Sequence, residues 1–538
     1  MSSRGIPGPV PHSPGRTPPT RRELLRYGAV GAVVAPALAA CGSTADPDAF
    51  AGKKDYADPR RGGRLRVGIA GGSAKDSIDA HLATDNTDIA RVYNLYDRLT
   101  DFSLDYKVVN SLAESLEPNA KADVWTVTLR KGLTFHGGAP VTAEDVVFSL
   151  ARITDPDDPK TGAAAMPLLD RDKLKAVDDR TAEIRFSEPM VHLPEVLAEY
   201  YNGIVPKGYD PKKPIGTGPF RFKEFEPGVR SLFVRNGDHW RDGEPFVDEL
   251  EIINFPDDTA RVNALLGGQV DAISQLPHSQ VKVVHAYDHL DVLESESGMW
   301  LPFTMRVDRA PFDDERVRQA FRLIVDRQQM VDQALSGYGT VANDIYGRYD
   351  PAYADDLPQR EQDIAKAKEL LADAGHGDGL EVELVTAEIN AGVVEAAEVF
   401  AEQAKEAGVT VKLNRVNDFF AEGQYLEYTF SQDFWAARNY LSQAAQCAFE
   451  NSPFNETHWA DEEWTEIVTK ASATVDDKER NKLLRQAQEI EYERGGYIIW
   501  GNPTVVDAFS KKVKGFKPFV GGHPLTAYGF RQVWFEDE

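Results

Sequence analysis

Apolar and polar positions divide the chain into a first part dominated by alternating strands and a second in which helices and strands take turns. Leu65, Val67 and Ile69 alternate with Arg66 and Gly68, the period of two expected of a half-buried strand. The same pattern returns at Trp125, Val127 and Leu129, and at Ala182, Ile184 and Phe186. Phe220 and Phe222 lead through Glu226, Pro227 and Gly228 to Leu232 and Val234, which predicts a hairpin turning at Pro-Gly. Thr142 with Asp145 three residues on predicts a helix start, and Val146, Val147, Leu150 and Ile153 then fall on one face.

Farther along, Asp313 or Asp314 is placed to cap one long helix carrying Val317, Phe321, Ile324, Val331 and Leu335. Residues 365–374 read as a helix ended by Gly375, followed by a strand at Leu380, Val382 and Leu384. A second helix over 393–407 ends at Gly408 and gives way to Val409, Val411 and Leu413. Strand, helix, strand with glycine stops is a βαβ unit, so this part should carry a parallel sheet. With 538 residues the chain exceeds what one core can organise, and the expected class is α/β with two lobes.

The N-terminal stretch follows neither pattern. Residues 1–19 are rich in Pro, Ser, Gly and Arg and cannot form a core. The uncharged run 27–40 is shorter than the roughly 20 apolar residues a helix needs to cross a bilayer. Arg21, Arg22 and Arg26 stand in front of it and small residues behind, the order of an export signal that is cut away. Thr20-Arg21-Arg22-Glu23-Leu24-Leu25 resembles a twin-arginine export signal, and Leu38-Ala39-Ala40-Cys41 resembles a bacterial lipobox whose cysteine is lipidated. Residues 1–41 are therefore expected to be a twin-arginine-type lipoprotein signal and 42–61 a polar, flexible tether.

Charge narrows the partners. The chain holds 60 basic and 86 acidic residues; residues 1–40 contain five and one of these, which leaves a surplus of about 30 negative charges beyond them. Such a surface repels phosphate backbones and anionic lipid heads, so no nucleic acid is expected as partner, and the membrane is reached by the N-terminal lipid only. The cysteines are Cys41 and Cys447, and a lipidated Cys41 leaves Cys447 as a small buried hydrophobe without a disulfide partner.

Motifs for chemistry are missing. There is no G-x-S-x-G, H-E-x-x-H or C-x-x-C, and no Gly-rich run ending in Lys-Ser or Lys-Thr, so no enzyme is expected. Gly71-Gly72-Ser73-Ala74-Lys75-Asp76 follows a strand but lacks the hydroxyl residue after lysine and reads as a tight turn. His285 and His289 have the i,i+4 spacing of a metal pair, yet the strand-like Leu290-Asp291-Val292-Leu293 directly after them argues against a helix there. No metal or cofactor is expected.

Three stretches carry a resemblance. Residues 112–153 (LAESLEPNAKADVWTVTLRKGLTFHGGAPVTAEDVVFSLARI), 214–240 (PIGTGPFRFKEFEPGVRSLFVRNGDHW) and 310–343 (APFDDERVRQAFRLIVDRQQMVDQALSGYGTVAN) resemble, in that order, the bacterial extracellular solute-binding proteins of peptide and nickel ABC importers, family 5. The resemblance implies a large, type II periplasmic-binding-protein-like fold with lobe 1 from 62–300 plus 501–538 and lobe 2 from 301–500. The hinge would lie in two crossings near 301–305 and 498–502. The ligand would sit between the lobes, and closure would be what the ABC permease subunits recognise. Physical reasoning agrees: a binding protein needs a water-excluding cleft with aromatic walls and a few fixed polar groups, and closure must be driven by contacts to both lobes.

The expected role is the extracytoplasmic substrate-binding subunit of an ABC importer, a monomer anchored to the outer face of the cell membrane, taking an oligopeptide or similar small solute. The alternatives are a ligand-sensing surface lipoprotein, or an oligosaccharide or anionic solute as ligand. In peptide-binding relatives a Trp-x-x-Asp stretch supplies an aromatic wall and a carboxylate for the peptide's ammonium. Here it reads Trp435-Ala436-Ala437-Arg438, followed by Asn439 and Tyr440. A guanidinium repels an ammonium and suits a carboxylate or phosphate. The alternative is that Arg438 pairs with a nearby carboxylate and touches no ligand. Trp300, Phe303, Tyr346 and Trp500 are further wall candidates, each with core packing as the competing explanation.

Overall fold

The computed structural model describes residues 59–536. Arg21, Arg22, Cys41 and most of the 42–61 tether lie outside the described residues. The alternating segments form the expected strands, Arg64–Ala70, Val124–Leu129 and Thr181–Arg185, with Leu65, Val67, Trp125, Val127, Ala182 and Ile184 buried. Phe220–Glu226 and Arg230–Arg235 pair antiparallel across the Pro-Gly turn. Gly228 there takes φ +76°, a left-handed conformation that costs glycine little. The helix Ala143–Ile153 starts at Thr142, whose amide and hydroxyl both donate to Asp145 Oδ2 at 2.8 Å.

One long helix was expected over 313–335, and the chain instead makes two. Glu315–Ile324 is capped by Asp314, and Arg327–Ala334 by Asp326, whose side chain accepts from the Gln329 amide at 2.9 Å. Val325 between them is extended. The apolar period runs across the break because both helices bury Val317, Phe321, Ile324, Val331 and Leu335 in one core. Beyond them Leu380–Thr386 and Val409–Arg415 pair in parallel, joined by the helix Val393–Glu406, which is the predicted βαβ unit.

Among the described residues one mixed sheet of twelve strands organises the molecule. From one edge it runs Val409–Arg415, Leu380–Thr386, Phe430–Gln432, Leu301–Met305, Tyr497–Ser510, Ala272–Ile273, Arg64–Ala70, Glu249–Phe255, Arg230–Arg235, Phe220–Glu226. The 14-residue strand Tyr497–Ser510 sits in its middle. Its first half pairs with Leu301–Met305 and Gly339–Val341, and its second half with Leu290–Glu296 and Ala272–Ile273.

Separate apolar interiors lie to either side of that strand, which makes the fold two-lobed. One gathers Phe303, Phe321, Phe400, Phe430 and Trp500; the other gathers Leu65, Ile69, Phe233 and Ile252 with Leu525, Tyr528 and Phe530 from the C-terminal segment. A smaller four-stranded sheet, built on Ala113–Pro118 and Val124–Leu129, packs its own core against the helix Ala143–Ile153. Two stretches of chain pass side by side between the interiors. They are tied where Ser297 Oγ donates to the Pro503 carbonyl at 2.6 Å and Asn502 Nδ2 to the Met299 carbonyl at 2.7 Å.

Candidate functional site

Past the short strand Phe430–Gln432, Trp435 exchanges two backbone hydrogen bonds with Trp300, at 3.1 and 3.0 Å. That bridge stacks their indoles, 5.8 Å apart and 12° from parallel. Trp300 stacks in turn on Tyr346 at 5.3 Å, and Tyr346 on Tyr440 at 5.0 Å. Trp300, Tyr346, Trp435 and Tyr440, all named from sequence as wall candidates, thus stand in one aromatic column, and Trp300, Tyr346 and Tyr440 lie within a core instead of on a cleft wall. Parallel stacking with 5 to 6 Å between rings is the offset geometry aromatic quadrupoles favour.

The column is locked from behind. The Trp435 indole N–H donates to Glu456 Oε1 at 3.0 Å, and the Thr304 hydroxyl donates to the other oxygen at 3.0 Å. Burial, with Asp433 beside it, pushes the Glu456 carboxyl well above the carboxylate range; burial lifts Asp433 to about 7. Tyr440 OH donates to Glu491 at 2.6 Å and accepts from the Trp464 indole at 2.9 Å. Trp435 is only 7% exposed, so the indole supports the cleft more than it lines it. What it supports is Arg438, whose guanidinium lies 5.8 Å over its ring.

Phe303 and Trp500 are placed elsewhere. Both have no exposed surface, and Phe303 packs on Phe400 at 4.6 Å and on Phe430 in the core. They sit on strands covered on both faces, which sequence alternation could not reveal. Cys447 is buried beside Gln443 with its thiol pushed up by burial, in keeping with a packing role. The helix containing His285 ends at that residue and His289 precedes a strand, so the two do not share a helical face. The carboxylates Asp76, Asp85 and Asp88 do converge, but Arg91 occupies the cluster, donating to Asp76 at 2.9 Å and Asp88 at 2.7 Å, which accounts for it as a structural ion network.

Facing Arg438 is a set of residues from the first 201 positions and the C-terminal segment that the sequence did not single out. Tyr93, Tyr200 and His523 meet ring to ring at 5.6–6.4 Å, and Tyr201 stacks edge-on against Tyr200 at 4.8 Å. Arg98 lies 4.4 Å over the Tyr93 ring. Glu199 joins them: burial raises its carboxyl, and Arg438 and Arg98 pull it back down. Burial alone would lower the Arg438 guanidinium, but Glu199 and the phenols of Tyr201, Tyr106 and Tyr200 more than offset it. Burial pushes Tyr200 up to about 12 and His523 down to about 4, so at neutral pH the imidazole is uncharged. Tyr93, Glu199, Tyr200, Tyr201 and Arg438 nevertheless keep accessible surface. The cluster is therefore heavily desolvated without being sealed from a solute. The local signal in the sequence was faint: Glu199-Tyr200-Tyr201 is merely an acid followed by two aromatics.

The two sides touch directly around this space. Asn439, at the start of the helix Tyr440–Cys447, donates from Nδ2 to Glu195 Oε1 at 2.9 Å, and Ser442 Oγ donates to Glu195 Oε2 at 2.5 Å. Tyr106 OH donates to the Ala437 carbonyl at 2.6 Å, next to Arg438. A cleft so closed, charged and aromatic, set between two interiors joined by paired crossings, defines a two-lobed periplasmic-binding-protein-like receptor for a small solute.

The comparisons agree. The sequence profile of the bacterial extracellular solute-binding proteins, family 5 (middle), matches residues 107–448, and the chain belongs to that family. It is an extracytoplasmic substrate-binding subunit of an ABC importer. The glutathione-binding protein GsiB of Pectobacterium atrosepticum is 27% identical over 481 residues, covering 83% of this chain and 90% of that protein. The di/tripeptide-binding protein 2 of Pseudomonas aeruginosa is 26% identical over 486 residues, covering 82% and 90%. The crystal structure of the substrate-binding protein CtaP of Listeria monocytogenes superposes with a TM-score of 0.78 at 22% identity, covering 89% of this chain and all of that one. That likeness shows the fold.

Proposed function

We propose that the protein captures a short peptide or peptide-like solute between lobe 1, residues 62–300 with 501–538, and lobe 2, residues 301–500, and hands it to an ABC permease without altering it. The hinge is the pair of crossings near 301–305 and 498–502, which are tied to each other beside it by the Ser297–Pro503 and Asn502–Met299 hydrogen bonds. The observation that carries this reading is Arg438, held over the Trp435 ring in one lobe and beside Glu199, Tyr200 and Tyr201 of the other. A solute touching both sides holds the lobes together, and only such differential contact shifts a hinge toward closure. Relatives named for glutathione and for di- and tripeptides support a peptide-like cargo.

The tethering reading comes from the sequence. Arg21-Arg22 directs export, Cys41 takes the lipid, and 42–61 links the anchor to the lobes, so the protein works as a monomer beside its importer. Titration calorimetry with glutathione and a set of di- and tripeptides tests the function. Reversible one-to-one binding, with the solute recovered intact, is expected; chemical conversion of the bound solute, or no heat with any member of the set, would overturn it.

A further inference from the structure

Arg438 of one lobe stands near Glu199 and Arg98 of the other, and among the described residues the three form no ion pair with one another. Among the described residues the only side-chain hydrogen bond of Arg438 is a long one, Nη1 to Gln443 Oε1 at 3.4 Å, which leaves most of its five N–H donors unused there. Arg98 spends Nη2 on Asp101 at 2.8 Å, while its Nε and Nη1 have no partner although the residue is only 3% exposed. Glu199 feels the charge of both guanidinium groups, yet stands in no ion pair with either. Isolated charges are expensive to take out of water and are held in proteins where a partner comes to them. Here the partner has to bring a negative group for Arg438 and a positive one for Glu199.

We infer that the cleft reads a zwitterion in reversed polarity: Arg438 seats a carboxylate of the solute beside Trp435, and Glu199 on the facing wall takes its ammonium. This rests on the solute-capture reading and names the end groups of the cargo. The Trp435 column explains the precision of the arrangement. Trp435 is held by Trp300 on one face and Glu456 at its edge, so the guanidinium above it is fixed in place for a planar, two-pronged contact with a carboxylate. Arg98, stacked on Tyr93 and paired with Asp101, stays buried behind the site. The phenols of Tyr200 and Tyr201 stand beside the site with hydroxyls that remain neutral, able to donate to the solute without adding charge.

The test is a titration of the wild type, Arg438→Gln, Arg438→Lys and Glu199→Gln against one panel. It contains glutathione and di- and tripeptides with free ends, the same peptides amidated at the C-terminus, the same peptides acetylated at the N-terminus, and maltotriose as a neutral solute. Loss of one charge-assisted contact in a closed site corresponds to roughly tenfold to hundredfold weaker binding. Amidation is expected to cost the wild type that much, to cost Arg438→Gln little further, and to retain part of its effect in Arg438→Lys. Acetylation is expected to cost the wild type comparably and Glu199→Gln little. Melting curves identify any variant that fails to fold, and the two caps on the wild type then decide alone. Equal affinity for free and amidated peptides would overturn the inference while leaving peptide capture intact, as would an amidation loss undiminished in a folded Arg438→Gln. Binding of maltotriose with no peptide bound would overturn both.

Discussion

Trp435 shows how far a single residue could be read in advance. Its place beside Arg438 was legible because both fall in one short stretch that resembles a family motif. Its partner Trp300 lies 135 positions away, and nothing local links the two until the backbone bridge forms. The indole N–H is the handle that fixes the column to Glu456. Trp435→Phe keeps an aromatic face but leaves a buried acceptor with one donor fewer, so a loss of about 1–3 kcal/mol is expected, read as a lower urea midpoint with an unchanged slope. Phe303 and Trp500 stayed open between cleft wall and core for the opposite reason, and both lie in the core. On a strand covered on both faces an inward residue cannot be told from a cleft residue, since the hydrophobic pattern is the same for both.

At the scale of elements, periodicity located the helices and strands well but not their ends. The apolar stripe from Val317 to Leu335 continues through a break because two consecutive helices share a core, and a period carries no information about a change of axis. The signal that was available is Asp326, a capping residue in mid-pattern. Asp326→Ala removes the bond its side chain accepts from Gln329 and is expected to cost about 1 kcal/mol. Chemical denaturation reads the loss, and ligand affinity should be unaffected because the cap lies outside the cleft.

At the scale of the whole molecule, the direct contact between the two sides makes binding sensitive to pH. Glu195 accepts from Asn439 and Ser442 across the cleft, with Asp350 and Arg480 also acting on it. Burial, aided by Asp350, lifts its carboxyl to about 7 from the ordinary 4.5. A raised acid favours the protonated form, so closing the lobes takes up a proton between these values. That advantage is complete below pH 4.5 and is lost as pH rises through 7. Affinity for a cleft-closing solute should therefore rise several-fold as pH falls from above 7 to about 5. Glu195→Gln should flatten its share of that slope in calorimetry, and a slope unchanged by the substitution would assign the effect to other groups such as Glu199, which burial also raises.

The amino-acid order by itself determined the α/β class, the strands and the βαβ unit, and the acidic charge that repels nucleic acid, because period, turn chemistry and net charge are properties of short segments or of plain sums. It also placed Arg438 where an acid was expected. Only the tertiary structure decided what Arg438 faces. Glu199, Arg98, Tyr93, Tyr200 and His523 come from segments up to several hundred positions away, and they meet it because Tyr497–Ser510 pairs on both of its halves and brings the two interiors edge to edge. Desolvation is set by everything packed around a group. No local pattern could have shown that these charges would be buried, opposed and left for a solute to join.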